Sequence, residues 1–156
     1  MEKPKKTLAV IMQRRSLGDR WGSVSWEAWS VLESAEPQGE PRMLVEQENA
    51  AQWLFSGFDL LLHRDEAEGY YLNVSTSEPS VFVMSRMEED KCVPQYVTVS
   101  YDEASRWMDG GAQVDRVAMS PALFAWVGGW VEENYRPEPR RRIKPRSFVS
   151  PKDRVN

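Results

Sequence analysis

The sequence predicts an α+β fold: about six mostly antiparallel strands forming a curled sheet or small barrel, followed by two C-terminal helices and a basic tail. Three observations predict it. Between Thr7 and Val99 apolar residues recur at every second position in short runs, which is the spacing of strands. Those runs are joined by short turn-rich segments, which favours antiparallel pairing. From Ser100 onward the apolar spacing changes to that of helices.

The elements follow in order. Thr7–Arg14 is a strand, with Leu8, Val10 and Met12 on one face and Ala9, Ile11 and Gln13 on the other. Arg15–Gly22 is a glycine-containing loop. Val24–Glu33 is the second strand, with Val24, Trp26 and Ala28 opposing Glu27 and Trp29. Tryptophan on both faces implies that each face is covered, one of them by a helix. Ser34–Asn49, rich in proline and glutamate, is a solvated connection in which Met43–Val45 can add a short edge strand. Trp53–Arg64 is a further strand, with Phe58, Leu60 and Leu62 facing one way and Asp59, Leu61 and His63 the other. Asp65–Gly69 is a tight acidic turn.

Gly69–Met87 is expected to be the central hairpin. Tyr70, Leu72 and Val74 alternate with Tyr71, Asn73 and Ser75. Ser75–Ser80 supplies turn residues, with Pro79 presetting φ. Val81 and Val83 oppose Phe82 and Met84, so this strand is apolar on both faces and belongs at the centre of a sheet. Glu88–Lys91 is another acidic turn. Gln95–Val99 is the last clear strand, with Pro94 at its start.

The helices have explicit start and stop signals. Ser100 and Glu103 form a capping box; Ala104, Trp107 and Met108 give the apolar face; Gly110 and Gly111 end the helix. Gln113–Met119 is a short, partly extended connector. Ser120 caps the second helix and Pro121 fills its first position. Leu123, Trp126, Val127, Trp130 and Val131 form a stripe to be buried against the sheet. Gly128 and Gly129 inside it each cost about 1 kcal/mol relative to alanine, which points to close packing there. Pro137 stops the helix. Residues 1–135 read as one domain and 136–156 as a proline-rich tail without apolar periodicity.

Charge separates these two parts. Residues 136–156 carry a net charge of +6, and the preceding residues carry −10. A basic segment on an acidic body has its own partner or folds back on the body. Within it, Arg140, Arg141 and Arg142 supply charge, and Phe148 with Val149 supplies an apolar anchor. Nucleic acid is the less favoured partner, because no aromatic and basic sheet motif accompanies the tail.

Composition narrows the chemistry. One cysteine, Cys92, permits no internal disulfide, and one histidine, His63, leaves no set of four Cys or His ligands for structural zinc. No phosphate-binding glycine loop or nucleophile elbow is present. No metal or other cofactor is expected. No window reaches the run of about 18 apolar residues that a membrane span needs. Leu8–Met12 is shorter than a signal-peptide core of roughly 7–15 residues, so a cytoplasmic protein is expected. The densest candidate site is the loop holding Arg14, Arg15, Arg20 and Trp21 beside Asp19, since arginine forks onto anions and stacks on aromatics. Trp21, Trp29 and Trp53 are the tryptophans expected at an interface.

RDEAEGYYLNVSTSEPSVFVMSRMEED, together with RSLGDRW, VTVSYDEASRWMDGG and ENYRPEP, resembles an uncharacterised proteobacterial family, the domain of unknown function 3305. Asp19 stands where the resemblance leads one to expect asparagine. Members are often encoded beside formate dehydrogenase genes. The resemblance therefore implies a non-enzymatic accessory protein or small subunit that binds a larger redox enzyme, a molybdenum formate dehydrogenase. The competing readings are a small-molecule or cofactor-binding module using the curled sheet, and an enzyme.

Overall fold

Two antiparallel sheets pack against each other and are capped by helices at one end, in a computed structural model that describes residues 4–136. The strands are β1 (Lys5–Ser16), β2 (Val24–Glu33), β3 (Arg42–Glu46) and β4 (Ala50–Leu61), then β5 (Ser80–Glu88), β6 (Lys91–Thr98) and β7 (Gln113–Ala118). The helices are α1 (Ala67–Val74), α2 (Tyr101–Asp109) and α3 (Pro121–Asn134). One sheet has the order β2-β1-β4-β3 and the other β6-β5-β7. The edge position expected for Met43–Val45 is that of β3.

The two valines and their neighbour in β5 explain its doubly apolar character. Val81 and Val83 point into the space between the sheets. Phe82 points outward beneath α2, where its ring meets Tyr101 edge-on at 6.1 Å. With β6 and β7 on either side, β5 is the central strand of its sheet. Between the sheets, Val10, Met12, Trp53 and Phe55 meet Val83 and Cys92. Side chains of this size contribute about 1.5–3 kcal/mol each when fully buried.

Two expectations change at the sheet level. No closed barrel forms among the described residues. The edge strands β2 and β7 approach each other without a ladder, and the Asp115 carboxylate instead accepts the Ala28 amide at 2.9 Å. Gln113–Met119, expected as a connector, is largely β7, because the free side of β5 offers its backbone groups a partner.

The larger correction concerns Tyr70–Ser75, which is not the first arm of a hairpin: Tyr70–Val74 is helix and Ser75 caps its end. Ala67, Tyr70, Tyr71 and Val74 share the spacing i, i+3, i+4, i+7 and face the core of the helical end. Six residues alternating in polarity fit both periods, and the longer window decides for the helix. The acidic stretch before it is a turn of 3-10 helix, Arg64–Glu66, leading into α1.

Asn73 shows why α1 is held where it is. It is 1% exposed. Its Nδ2 donates to the carbonyls of Ser80 and Val99 at 2.7 and 2.9 Å, and its Oδ1 accepts the Ser80 amide at 3.0 Å. One side chain thus joins a helix to the start of β5 and the residue after β6. Gly69 sits against the next helix so closely that a Cβ there would lie 2.1 Å from Ser100 Oγ. Ser100 caps α2 as expected, accepting the Glu103 amide at 3.1 Å. Its hydroxyl donates to Glu66 at 2.5 Å, and no return bond from Glu103 is seen in this capping box.

Ser120 caps α3 by accepting the Leu123 amide at 3.1 Å. Leu123, Val127 and Val131 are its buried stripe, while Trp126 and Trp130 are half-buried at its margins. Trp130 meets the Tyr70 ring edge-on at 5.5 Å. The close packing expected at Gly128 and Gly129 is absent among the described residues, since a Cβ at either would enter open space. Among the described residues no helix is long and apolar enough to cross a membrane.

Candidate functional site

The end of the four-stranded sheet opposite the helices holds Arg14, Arg15, Arg20 and Trp21, the candidate residues that fall among the described ones. β1 and β2 form a long hairpin, with Ser16 opposite Val24, so Arg14 falls opposite Trp26. On its other side β1 pairs with β4, which brings Trp53 to within two residues of Arg14's partner Ala51. The Arg14 guanidinium lies 5.3 Å from the centre of Trp53 and 6.0 Å from that of Trp26. Lys91, at the start of β6 in the other sheet, places its ammonium 5.7 Å from Trp53. The two indoles are 5.2 Å apart and tilted. Two cations from different sheets therefore converge on one tryptophan pair, and such contacts contribute about 0.5–2 kcal/mol depending on desolvation.

The loop after β1 is fixed by its own carboxylate. Asp19 Oδ1 accepts the backbone amides of Ser23 at 2.9 Å and Trp21 at 3.1 Å. These bonds, led by those from Ser23, hold the carboxyl below the usual carboxylate range, so they persist at neutral pH and are lost as pH falls through the lowered value. An asparagine oxygen at this position would accept the same bonds, so either residue suits the turn. Gly18 and Gly22 take positive φ, 72° and 68°, which β-branched or bulky residues rarely tolerate.

This turn holds Trp21 outward. Trp21 is 75% exposed, with the Arg20 guanidinium 4.8 Å from its ring. Leu17 and Val24 are exposed beside it. Arg15 also lies on the exposed part of the hairpin end, one residue past Arg14 and therefore on the opposite face of β1. Among the described residues no carboxylate comes within ion-pairing distance of Arg14, Arg15, Arg20 or Lys91. Arginine, lysine and apolar side chains thus share this end of a protein whose described part is acidic.

The candidates thus fall into three groups. Arg14 belongs to the tryptophan pair, and Arg15, Arg20 and Trp21 to the exposed tip of the same hairpin. Arg140, Arg141, Arg142 and Phe148 lie outside the described residues. Of the tryptophans expected at an interface, Trp21 and Trp29 are exposed, but Trp53 is 4% exposed and belongs to the core. Trp26 was discoverable from the sequence, because a hairpin centred on Arg20 sets Arg14 opposite it. Lys91 carried no such signal; only the packing of the second sheet brings it there.

Elsewhere the chemistry is quieter. Cys92 is fully buried between the sheets, donates to Ser85 Oγ at 3.3 Å, and burial pushes its thiol up. A polar cleft of about 550 Å³ opens between the loop at Gln38, the β4 bulge at Gly57 and β6, with Asp59, Glu88 and Gln95 on its walls. Among the described residues no group of three or more His, Cys, Asp or Glu is placed to hold a metal ion.

The model of the family described as protein of unknown function (DUF3305) matches residues 7–144. The match takes in the hairpin end and Arg140–Arg142 and stops before Phe148. Neither the curated proteins nor the solved structures contain a match.

Proposed function

This chain belongs to the DUF3305 family, and on that premise we propose that it is a non-enzymatic accessory protein or small subunit that docks on a larger redox enzyme. The observation that carries this reading is the hairpin tip. A tryptophan held outward by a fixed turn, next to an arginine and flanked by Leu17 and Val24, has the composition of an interface hot spot. The cations around it have no carboxylate partner among the described residues, so an acidic surface with an apolar depression complements them. Charge of this kind steers association and sets orientation more than it adds affinity.

The basic segment supplies a second contact in the same proposal. Arg140–Arg142 bring charge and Phe148 an anchor, on a partner that binds the tip as well; two tethered contacts raise affinity beyond either alone. A molybdenum formate dehydrogenase of a proteobacterium is the specific partner, and the cytoplasm the compartment. That choice is supported by the resemblance of the sequence motifs to the uncharacterised family described above.

Affinity purification from the native cell tests it. The wild-type chain enriches the catalytic subunit of a formate dehydrogenase, Trp21→Ala with Arg20→Ala loses it, and deletion of residues 136–156 weakens it. Equal enrichment by the double variant would remove the tip from the interface. Purification without any oxidoreductase would sink the whole reading.

A further inference from the structure

A second concavity lies far in character from the docking end. Between α2 and the outer face of β5 and β7 is a pocket of about 200 Å³, lined by Phe82, Tyr101, Ala104, Met108, Val114 and Arg116. Its origin is a mismatch of sizes. Ala104 is the residue of α2 buried against the sheet, and its methyl leaves a space that Phe82 and Val114 wall from below. Tyr101 and Met108 flank it on the helix, and both are largely exposed. Apart from Ser105 and Arg116 the lining is apolar or aromatic.

Arg116 is the one charged residue of the lining. It stands beside Phe82 across the β5–β7 ladder. Its Nε and Nη2 donate to Ser80 Oγ at 3.3 and 3.2 Å, and Nη2 also donates to the Glu78 carbonyl at 3.0 Å. All of these acceptors are neutral. Among the described residues no carboxylate pairs with it and Nη1 has no protein partner. These bonds fix the side chain of Arg116, itself one of the residues lining the pocket, and leave its charge without a carboxylate partner among the described residues.

We propose that this pocket binds a small aromatic or branched aliphatic carboxylate, its apolar body over Phe82 and Val114 and its carboxylate on Arg116. The volume limits the ligand's size. Drug-sized sites span roughly 300–1,000 Å³, whereas a dry cavity of about 150 Å³ already admits benzene. A single ring with one carboxylate fits; a nucleotide does not. The charge sets the polarity, because a guanidinium recognises a carboxylate through charge-assisted hydrogen bonds that a neutral hydroxyl does not match. The site is independent of the hairpin end, so it stands or falls apart from the docking proposal.

The experiment is a backbone amide NMR titration of the full chain with phenylacetate and with 2-phenylethanol, its neutral analogue. Phenylacetate gives saturable shifts centred on Ala104, Met108 and Val114, and binds roughly tenfold tighter than the alcohol, as expected for one charged hydrogen bond. Arg116→Gln brings the two ligands to similar weak affinity, and Arg116→Lys restores part of the difference. Val114→Phe fills the pocket while leaving Arg116 in place, and abolishes binding of both; a dispersed spectrum confirms that this variant folds. Shifts centred elsewhere, equal affinity for acid and alcohol in the wild type, or undiminished binding to Val114→Phe would each overturn the proposal.

Discussion

Asn73 and Arg14 mark two ends of the same molecule that treat polar groups in opposite ways. At the helical end Asn73 is buried and both ends of its amide are bonded, and Tyr70 is buried with its hydroxyl accepting the His63 amide at 2.9 Å. At the hairpin end Arg14, Arg20 and Lys91 lie over tryptophan rings, and Trp21 stands in solvent. The first arrangement spends its polar groups on internal bonds, which are costly to break in a low dielectric. The second leaves charge and apolar surface for something outside the described chain. Stability and recognition are thus separated in space.

That separation can be broken by experiment. The largest effect is expected at Asn73. Asn73→Ala leaves the Ser80 amide and the Ser80 and Val99 carbonyls without this partner, at about 1 kcal/mol or more for each buried group. Urea unfolding should show a loss of roughly 3 kcal/mol; a loss under about 1 kcal/mol would show that α1 is held mainly by apolar packing.

Tyr70 comes next. Burial, chiefly, pushes its phenol from 10.0 up to about 12, with Glu103, Glu66 and Asp65 adding to the rise and the His63 amide opposing it. The folded-state value lies above the unfolded one, so the contribution of this group is complete below the unfolded value. It is lost as pH rises from 10.0 towards about 12. Melting temperature followed across that window should fall more steeply for the wild type than for Tyr70→Phe. Parallel curves would mean that another group governs alkaline unfolding.

The smallest effect on stability belongs to the hairpin tip. Trp21→Ala should change unfolding free energy by no more than about 0.5 kcal/mol, as surface substitutions do, because the Asp19 bonds to the backbone do not need the indole. The same substitution should abolish partner capture. An appreciable drop in melting temperature would place Trp21 in the fold and erase the contrast between the two ends.

Much of the fold was legible from residues alone. β2 runs over Val24–Glu33 as its alternation predicts, and Ser100 and Ser120 cap their helices because a serine hydroxyl satisfies an otherwise unpaired amide. The alternation at Tyr70–Ser75 misleads because a run this short fits the strand period as well as the helical one. Asn73 is buried and bonded to backbone from two other strands' ends, a long-range fact that local periodicity does not carry. β7 was half visible for a related reason: Gln113–Ala118 has weak propensity of its own, and its partner β5 decides its state. At the candidate site, Arg14, Arg15, Arg20 and Trp21 announced themselves by residue type. The Trp26–Trp53 pair depended on β2 and β4 flanking β1 in one sheet, and Lys91 on how the second sheet stacks against it.

The burial of Cys92 gives the molecule an internal clock. Its sulfur lies between the sheets, fully shielded, and is the chain's single thiol. A thiol reagent can reach it only when β6 or the whole sandwich opens, and the reaction then proceeds through the thiolate. The rate of labelling under native conditions therefore reports on opening around β6. Where reclosing outpaces labelling, that rate scales with the open population, the same logic that governs amide exchange. Variants at either end can then be ranked by how readily this region opens, without denaturant and without knowing what the protein binds.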